Sequence, residues 1–142
     1  MAQANTIYPK GKQYMLSGAI DLQDNTIFCS LVNESYTYAA GDTIYQGTVS
    51  PYQVGATGTM TIGADDYLNG TFDAADQTFS SVAAGSTVEG VVIFKSGSGG
   101  GGTPTDNLLI AYFTTGSGGR INLTTNGGDI TINWNASGIF SL

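Results

Sequence analysis

Glycine interrupts this chain from end to end. Twenty-one of its 142 residues are glycine, scattered at turn-like spacings with no G-X-Y period. Such punctuation favours short segments joined by turns over long helices. Between the glycines stand Thr, Ser and Asn with Tyr and Ile, the composition of a short-stranded, turn-rich β protein. Hydrophobic residues at 41% against 11% charged argue for a packed core, since disordered chains pair few apolar residues with high net charge. At this length a single domain can bury about two-thirds of its unfolded surface.

The segments can be placed along the chain. Residues 1–13 lack strand-like alternation and contain Pro9 and Gly11, so they read as an extended N-terminal arm. "YMLSGAIDL" (14–22) and "TIFCSLVN" (26–33) read as two strands of a hairpin turned by "QDNT", the second apolar on both faces. The following stretch, "ESYTYAAGDTIYQGTVSPYQVG", has a weak pattern. Asp42 could cap one short helical turn there, and Gly47 and Pro51 forbid a long helix. Strands resume in "TGTMTI", in parts of "GTFDAADQTFSSV" and in "STVEGVVIFKS". "NLLIAYFTTG" and "GGDITINWNASGIF" complete them after a flexible Gly-rich loop at 97–106. The expected fold is all-β: a single-domain β-sandwich, or a partly open barrel, of about eight strands spanning 14–142.

Composition also limits function. A net charge of −7 with only four Lys and Arg residues leaves no basic surface to concentrate on a nucleic acid and disfavours anionic lipid. "GVVIF" and "LLIAYF" are too short to cross a bilayer as helices, and "MAQANTIYPKGKQYML" lacks the apolar core of a secretion signal. The expectation is a protein made in a cytoplasm, with no nucleic-acid or membrane partner. Cys29 is the one cysteine and there is no histidine, which removes internal disulfides, Ser-His-Asp triads and His-bearing metal centres. "GSGGGGTPTD" lacks the Lys-Ser/Thr ending of a P-loop. No catalytic residue and no cofactor is expected.

Three groups remain as candidate sites. Asp65, Asp66, Asp73 and Asp76 lie close in sequence, with Asn69 between them. Carboxylates on turns can hold Ca²⁺ or form a glycosidase pair, while the simpler reading is that each bonds nearby backbone amides. Tyr36, Tyr38, Tyr45 and Tyr52 could form a sugar- or protein-binding surface or cover one end of the sandwich. Trp134 alternates with Ile130 and Ile132, which favours core packing. The apolar Ile139, Phe140 and Leu142 then close the base of the body or pack between protomers.

Four stretches in this order, "SGAIDLQDNTIFCSLVNESYTY", "FDAADQTF", "DNLLIAYF" and "GGDITINWNASGIFSL", carry a resemblance. Together they resemble small virion structural proteins of tailed bacteriophages and cyanophages, of the capsid decoration (cement) or head-fibre type. The likeness runs over 14–142 and rests on order and texture; Phe79 stands where a Trp is expected, and the 97–106 loop is expanded. It implies a β-rich body on the virion exterior and brings no catalytic residue.

The resulting expectation is a decoration protein, acting as a homotrimer, that binds the outer shell where major capsid subunits meet and stabilises the head. Ile7, Tyr8, Lys10 and Lys12 in the arm would contact the capsid. The alternative is a receptor- or glycan-binding module on a tail or head fibre, and a depolymerase is the remaining reading.

Overall fold

The computed structural model describes residues 5–96 and 107–142, so the Gly-rich stretch 97–106 lies outside the described residues. In chain order the elements begin with β1 (Asn5–Ile7), α1 (Pro9–Leu16), β2 (Ile27–Asn33) and β3 (Gln53–Thr59). They continue with β4 (Thr71–Phe72), β5 (Gln77–Phe79), β6 (Thr87–Lys95) and β7 (Leu109–Phe113). The last are β8 (Thr115–Gly116), β9 (Gly119–Arg120), β10 (Leu123–Thr124), β11 (Ile130–Ile132) and β12 (Phe140–Ser141). Strands hold 38% of the described residues and helices 11%, which puts the chain in the all-β class as a single sandwich-like domain, with no closed barrel among the described residues.

The main antiparallel sheet runs β1-β7-β6-β2-β3, with β10 pairing the start of β6. Its centre follows from sequence: β2, β6 and β7 carry the apolar runs "IFC", "VVIF" and "LIAYF" and are buried at most positions, as strands covered on both faces must be. Cys29, Ile93 and Ala111 sit side by side across the register, and Ser30, Val92 and Tyr112 form the next row, on the opposite face. Each Leu, Ile or Val buried here contributes about 1.5–3 kcal/mol, so these three strands dominate the stability of the body.

The two faces are covered differently. On the first, Leu31, Val91 and Ile93 pack against Phe72, Phe79 and Ile130, which are carried by the short pairs β4–β12 and β5–β11. On the second there is no second sheet. The irregular segment 34–52 folds over Val32, Val92 and Leu109 with Tyr36, Tyr45 and Val49, and Tyr8 joins them. The backbone of that segment ties to the sheet at one edge, the Tyr45 amide donating to the Asn107 carbonyl and the Leu109 amide to that of Thr43, and side chains satisfy further polar groups inside the layer. The Tyr45 hydroxyl donates to Gln53 Oε1 at 2.6 Å and lies 2.8 Å from Ser30 Oγ, while its ring stacks on Phe94 at 3.8 Å.

The N-terminal segment departs from expectation. Residues 5–13 are not an arm. β1 pairs with β7 through Asn5↔Phe113 and Ile7↔Ala111, and Tyr8 is fully buried. Pro9 then starts α1 at its first turn, where a missing N–H costs nothing. Gly11 is the contact point of that helix: a Cβ there would lie 2.8 Å from the Leu109 carbonyl oxygen and 3.0 Å from that of Ile110. Ile110 is the bulged residue of β7, since the register passes from Ile93↔Ala111 to Phe94↔Leu109, and its carbonyl accepts the Tyr8 amide at 2.9 Å.

The expected 14–22 strand is also replaced. α1 runs to Leu16 and stops at Gly18, whose φ of +82° suits a left-handed helix end. β2 therefore pairs with β3 and β6 and forms no hairpin with residues 14–22. Asp21 and Asn25 do make a turn, through Asp21 Oδ1 accepting the Gln23 and Asp24 amides and Asn25 Oδ1 accepting the Asp21 amide. Asp42 caps no following helix; its carboxylate accepts the Ala39 amide, three residues back.

Candidate functional site

The four carboxylates that suggested calcium are not gathered into a ligand set. Among the described residues no group of three or more acidic, His or Cys side chains is placed to hold a metal. Each engaged carboxylate accepts from a backbone amide, two of them nearby in the chain. Asp66 Oδ2 accepts the Gly63 amide at 2.6 Å, Asp73 Oδ1 accepts the Ala74 amide at 2.8 Å, and Asp65 is exposed. Asp76 reaches furthest, accepting the Trp134 amide at 2.9 Å across 58 residues.

The tyrosines are core, not surface. Tyr36 and Tyr45 are buried and Tyr38 and Tyr52 half-buried. Tyr8 and Tyr36 share a 2.6 Å hydroxyl pair, and Tyr36 donates onward to Asp42 Oδ2 at 2.9 Å. That relay leaves Tyr8 as the donor to Tyr36. Burial, with the Asp42 charge adding to it, pushes both phenols well above their ordinary range. Burial likewise pushes Tyr45 up to about 12 and Tyr112 up to about 12. Cys29 is fully buried and its thiol is raised to about 12, which makes it a core residue and a poor nucleophile.

Two surface features remain once these groups are assigned. The larger is a cleft of about 710 Å³ between the β7–β8 connection and the segment linking β11 to β12. β11 ends at Ile132, so Trp134 leaves the ladder. Ile130 enters the core as expected, and Trp134 packs half-buried against that core, where it also lines the cleft, edge-on to Phe113 at 6.3 Å. The turn after it is fixed by Asn135, whose Oδ1 accepts the Ser137 amide and whose carbonyl accepts the Gly138 amide. At Gly138 φ is +108°, and a Cβ would run into the Thr71 side chain. Val91, Phe113, Ile121, Ile132 and Ile139 make the cleft apolar within, and among the described residues no ionisable one lines it.

The smaller feature is a groove of about 360 Å³ lined by Met15, Ile20, Leu22, Tyr67 and Leu142 among others. The chain neighbours of Met15 and Tyr67 are Leu16 and Leu68. Leu16 is 90% exposed, Leu142 68% and Leu68 50%. Of the C-terminal residues, Phe140 pairs with Phe72 in β4, the Ile139 amide bonds the Phe72 carbonyl, and the Leu142 amide bonds the Gly70 carbonyl. The backbone of this end is thus part of the body, while the Leu142 side chain is left outside.

The expected capsid-contact residues do not stand together. Ile7 is half-buried in β1, Tyr8 is core, Lys10 Nζ donates to Gln13 Oε1 at 3.0 Å, and Lys12 is exposed. Residue patterns gave no signal for the Trp134 cleft, because its walls come from segments distant in sequence. No family model, curated protein or solved structure matches this chain.

Proposed function

We propose that this protein is a structural component of a tailed-phage virion. In this reading it is a decoration protein that binds the outer shell between major capsid subunits and stabilises the head. It would be made in the host cytoplasm, assemble as a homotrimer and act without cofactor or catalysis. The resemblance carried by the four quoted stretches supports the virion context. The observation that carries a docking role is apolar exposure at one groove: Leu142, 68% exposed, lines the 360 Å³ groove, and the exposed Leu16 and Leu68 directly follow its lining residues Met15 and Tyr67 in the chain. Exposed apolar side chains grouped near one groove are a feature of interaction surfaces. With residues 5–13 held in the body, this groove replaces the arm as the capsid-facing surface.

The test is where the protein sits and what holds it there. Imaging of intact particles should find it on the shell, and purified shells should bind the wild-type chain with little dependence on salt. Leu16→Ser with Leu142→Ser should abolish that binding while leaving the melting temperature within a few degrees, because neither side chain is core. Density at the tail, or a double variant that saturates shells as the wild type does, would overturn the reading.

A further inference from the structure

We infer that the Trp134 cleft binds an uncharged saccharide, an activity separate from the proposed capsid docking and independent of it. The cleft's volume of about 710 Å³ falls in the usual range for ligand sites, roughly 300–1,000 Å³. Its chemistry matches a sugar ring, which has an apolar C–H face and a rim of hydroxyls. The interior is apolar and aromatic, built on Phe113 and Trp134. The polar lining is amide and hydroxyl only: Asn133, Asn135 and Ser117 are exposed, and Thr115 is half-buried. In a chain of net charge −7, a lining with no carboxylate, lysine or arginine among the described residues selects against charged ligands.

A second observation points to a missing hydrogen-bond acceptor. Trp134 Nε1 is buried and has no hydrogen-bond partner among the described residues. Indole N–H groups are usually paired when buried. Nε1 is closed to solvent in this structure, so a ligand hydroxyl in the cleft supplies the acceptor only once the indole turns its N–H toward it. The Asp76 bond to the Trp134 amide holds the backbone in place while the side chain adjusts.

An extended peptide is the competing occupant, and the cleft offers it little. Peptides that dock beside a sheet do so by pairing with free backbone groups. Here the Asn5 side chain already takes them, since its Oδ1 accepts the Thr114 and Thr115 amides and its Nδ2 donates to the Thr115 carbonyl.

The single tryptophan gives the test a unique reporter: one indole N–H resonance in a ¹⁵N-labelled full chain. The probes are neutral hexasaccharides of glucose (α- and β-linked), mannose, galactose and N-acetylglucosamine, with an oligogalacturonate as the charged control. At least one neutral probe should move the indole resonance saturably, and the charged control should not. Asn133→Ala, an exposed change, should weaken that binding about five- to tenfold with an unchanged melting curve. Trp134→Phe, read by backbone amides of Phe113 and Thr115, should weaken it at least tenfold. A resonance that no neutral probe moves at millimolar concentration overturns the inference. So does binding unaffected by Asn133→Ala, or an apolar peptide that moves the resonance where the sugars do not.

Discussion

Raising the pH should unfold this protein abruptly, and the tyrosine core sets where. Tyr8, Tyr36, Tyr45 and Tyr112 are each at most 3% exposed, and Cys29 is fully buried. Desolvation is the leading cause that raises all five, with Tyr45, Tyr112 and Cys29 reaching about 12. In the unfolded chain the phenols ionise near 10 and the thiol lower. The folded state therefore holds protons that the unfolded state has released. Stability from these groups is intact below the unfolded pKa values and falls as pH rises toward the folded ones. Each group costs up to about 1.4 kcal/mol per pH unit, so five together remove roughly 5 kcal/mol between pH 10 and 11. A domain with about 5–15 kcal/mol in reserve should then unfold between about pH 10.5 and 12. The assay follows tyrosinate absorbance and far-ultraviolet circular dichroism in one titration. The late-ionising phenols and the loss of strand signal should share one midpoint, and Tyr45→Phe should lower the pH slope of stability by about a fifth. A strand signal still intact at pH 12, or buried phenols that titrate singly before it is lost, would refute the reasoning.

Three further outcomes follow from the same contacts. Gly11→Ala should destabilise by about 1–2 kcal/mol in urea unfolding, although Ala is the better helix former by about 1 kcal/mol, because its methyl meets the β7 backbone. Tyr36→Phe should cost about 2–3 kcal/mol and Tyr8→Phe about 1, since the first leaves the Tyr8 hydroxyl buried without its acceptor and strips Asp42 of a donor. Equal costs would discount the relay. Deleting residues 1–13 should prevent folding, removing β1 and Tyr8 from β7 and from the second core, as read by dispersion in an NMR spectrum.

The strands buried on both faces were legible because their composition leaves no alternative: "TIFCSLV" and "GVVIF" have no polar side on which a helix or an exposed strand could turn to water. The N-terminal helix was not. Its Pro9 and Gly11 look like breakers in isolation, and Tyr14, Leu16 and Ile20 mimic an every-other-residue pattern. Only the fold reveals that Pro9 occupies a first helical turn and that a Cβ at position 11 would lie 2.8 Å from the Leu109 carbonyl oxygen. Both are tertiary facts that override propensity.

The candidate surfaces divide along a similar line. The Asp residues were read correctly as turn formers where they bond amides nearby, as Asp66 and Asp73 do. Asp76 escaped that reading because its partner is 58 residues away. The same long reach explains Trp134. Its spacing from Ile130 and Ile132 promised a core face, and it does pack against that core, but the ladder stops at Ile132 and leaves it half-buried. By taking the Trp134 amide, Asp76 occupies a backbone donor that a longer β5–β11 ladder could have used, and it holds in place the backbone of a residue that lines the cleft. Asp76→Ala should therefore affect the cleft more than the core. The Trp134 indole resonance should broaden or shift in the free protein while the β2–β6 amides keep their chemical shifts. Changes spread evenly over both sets would mean that Asp76 supports the body as a whole, with no particular hold on the cleft.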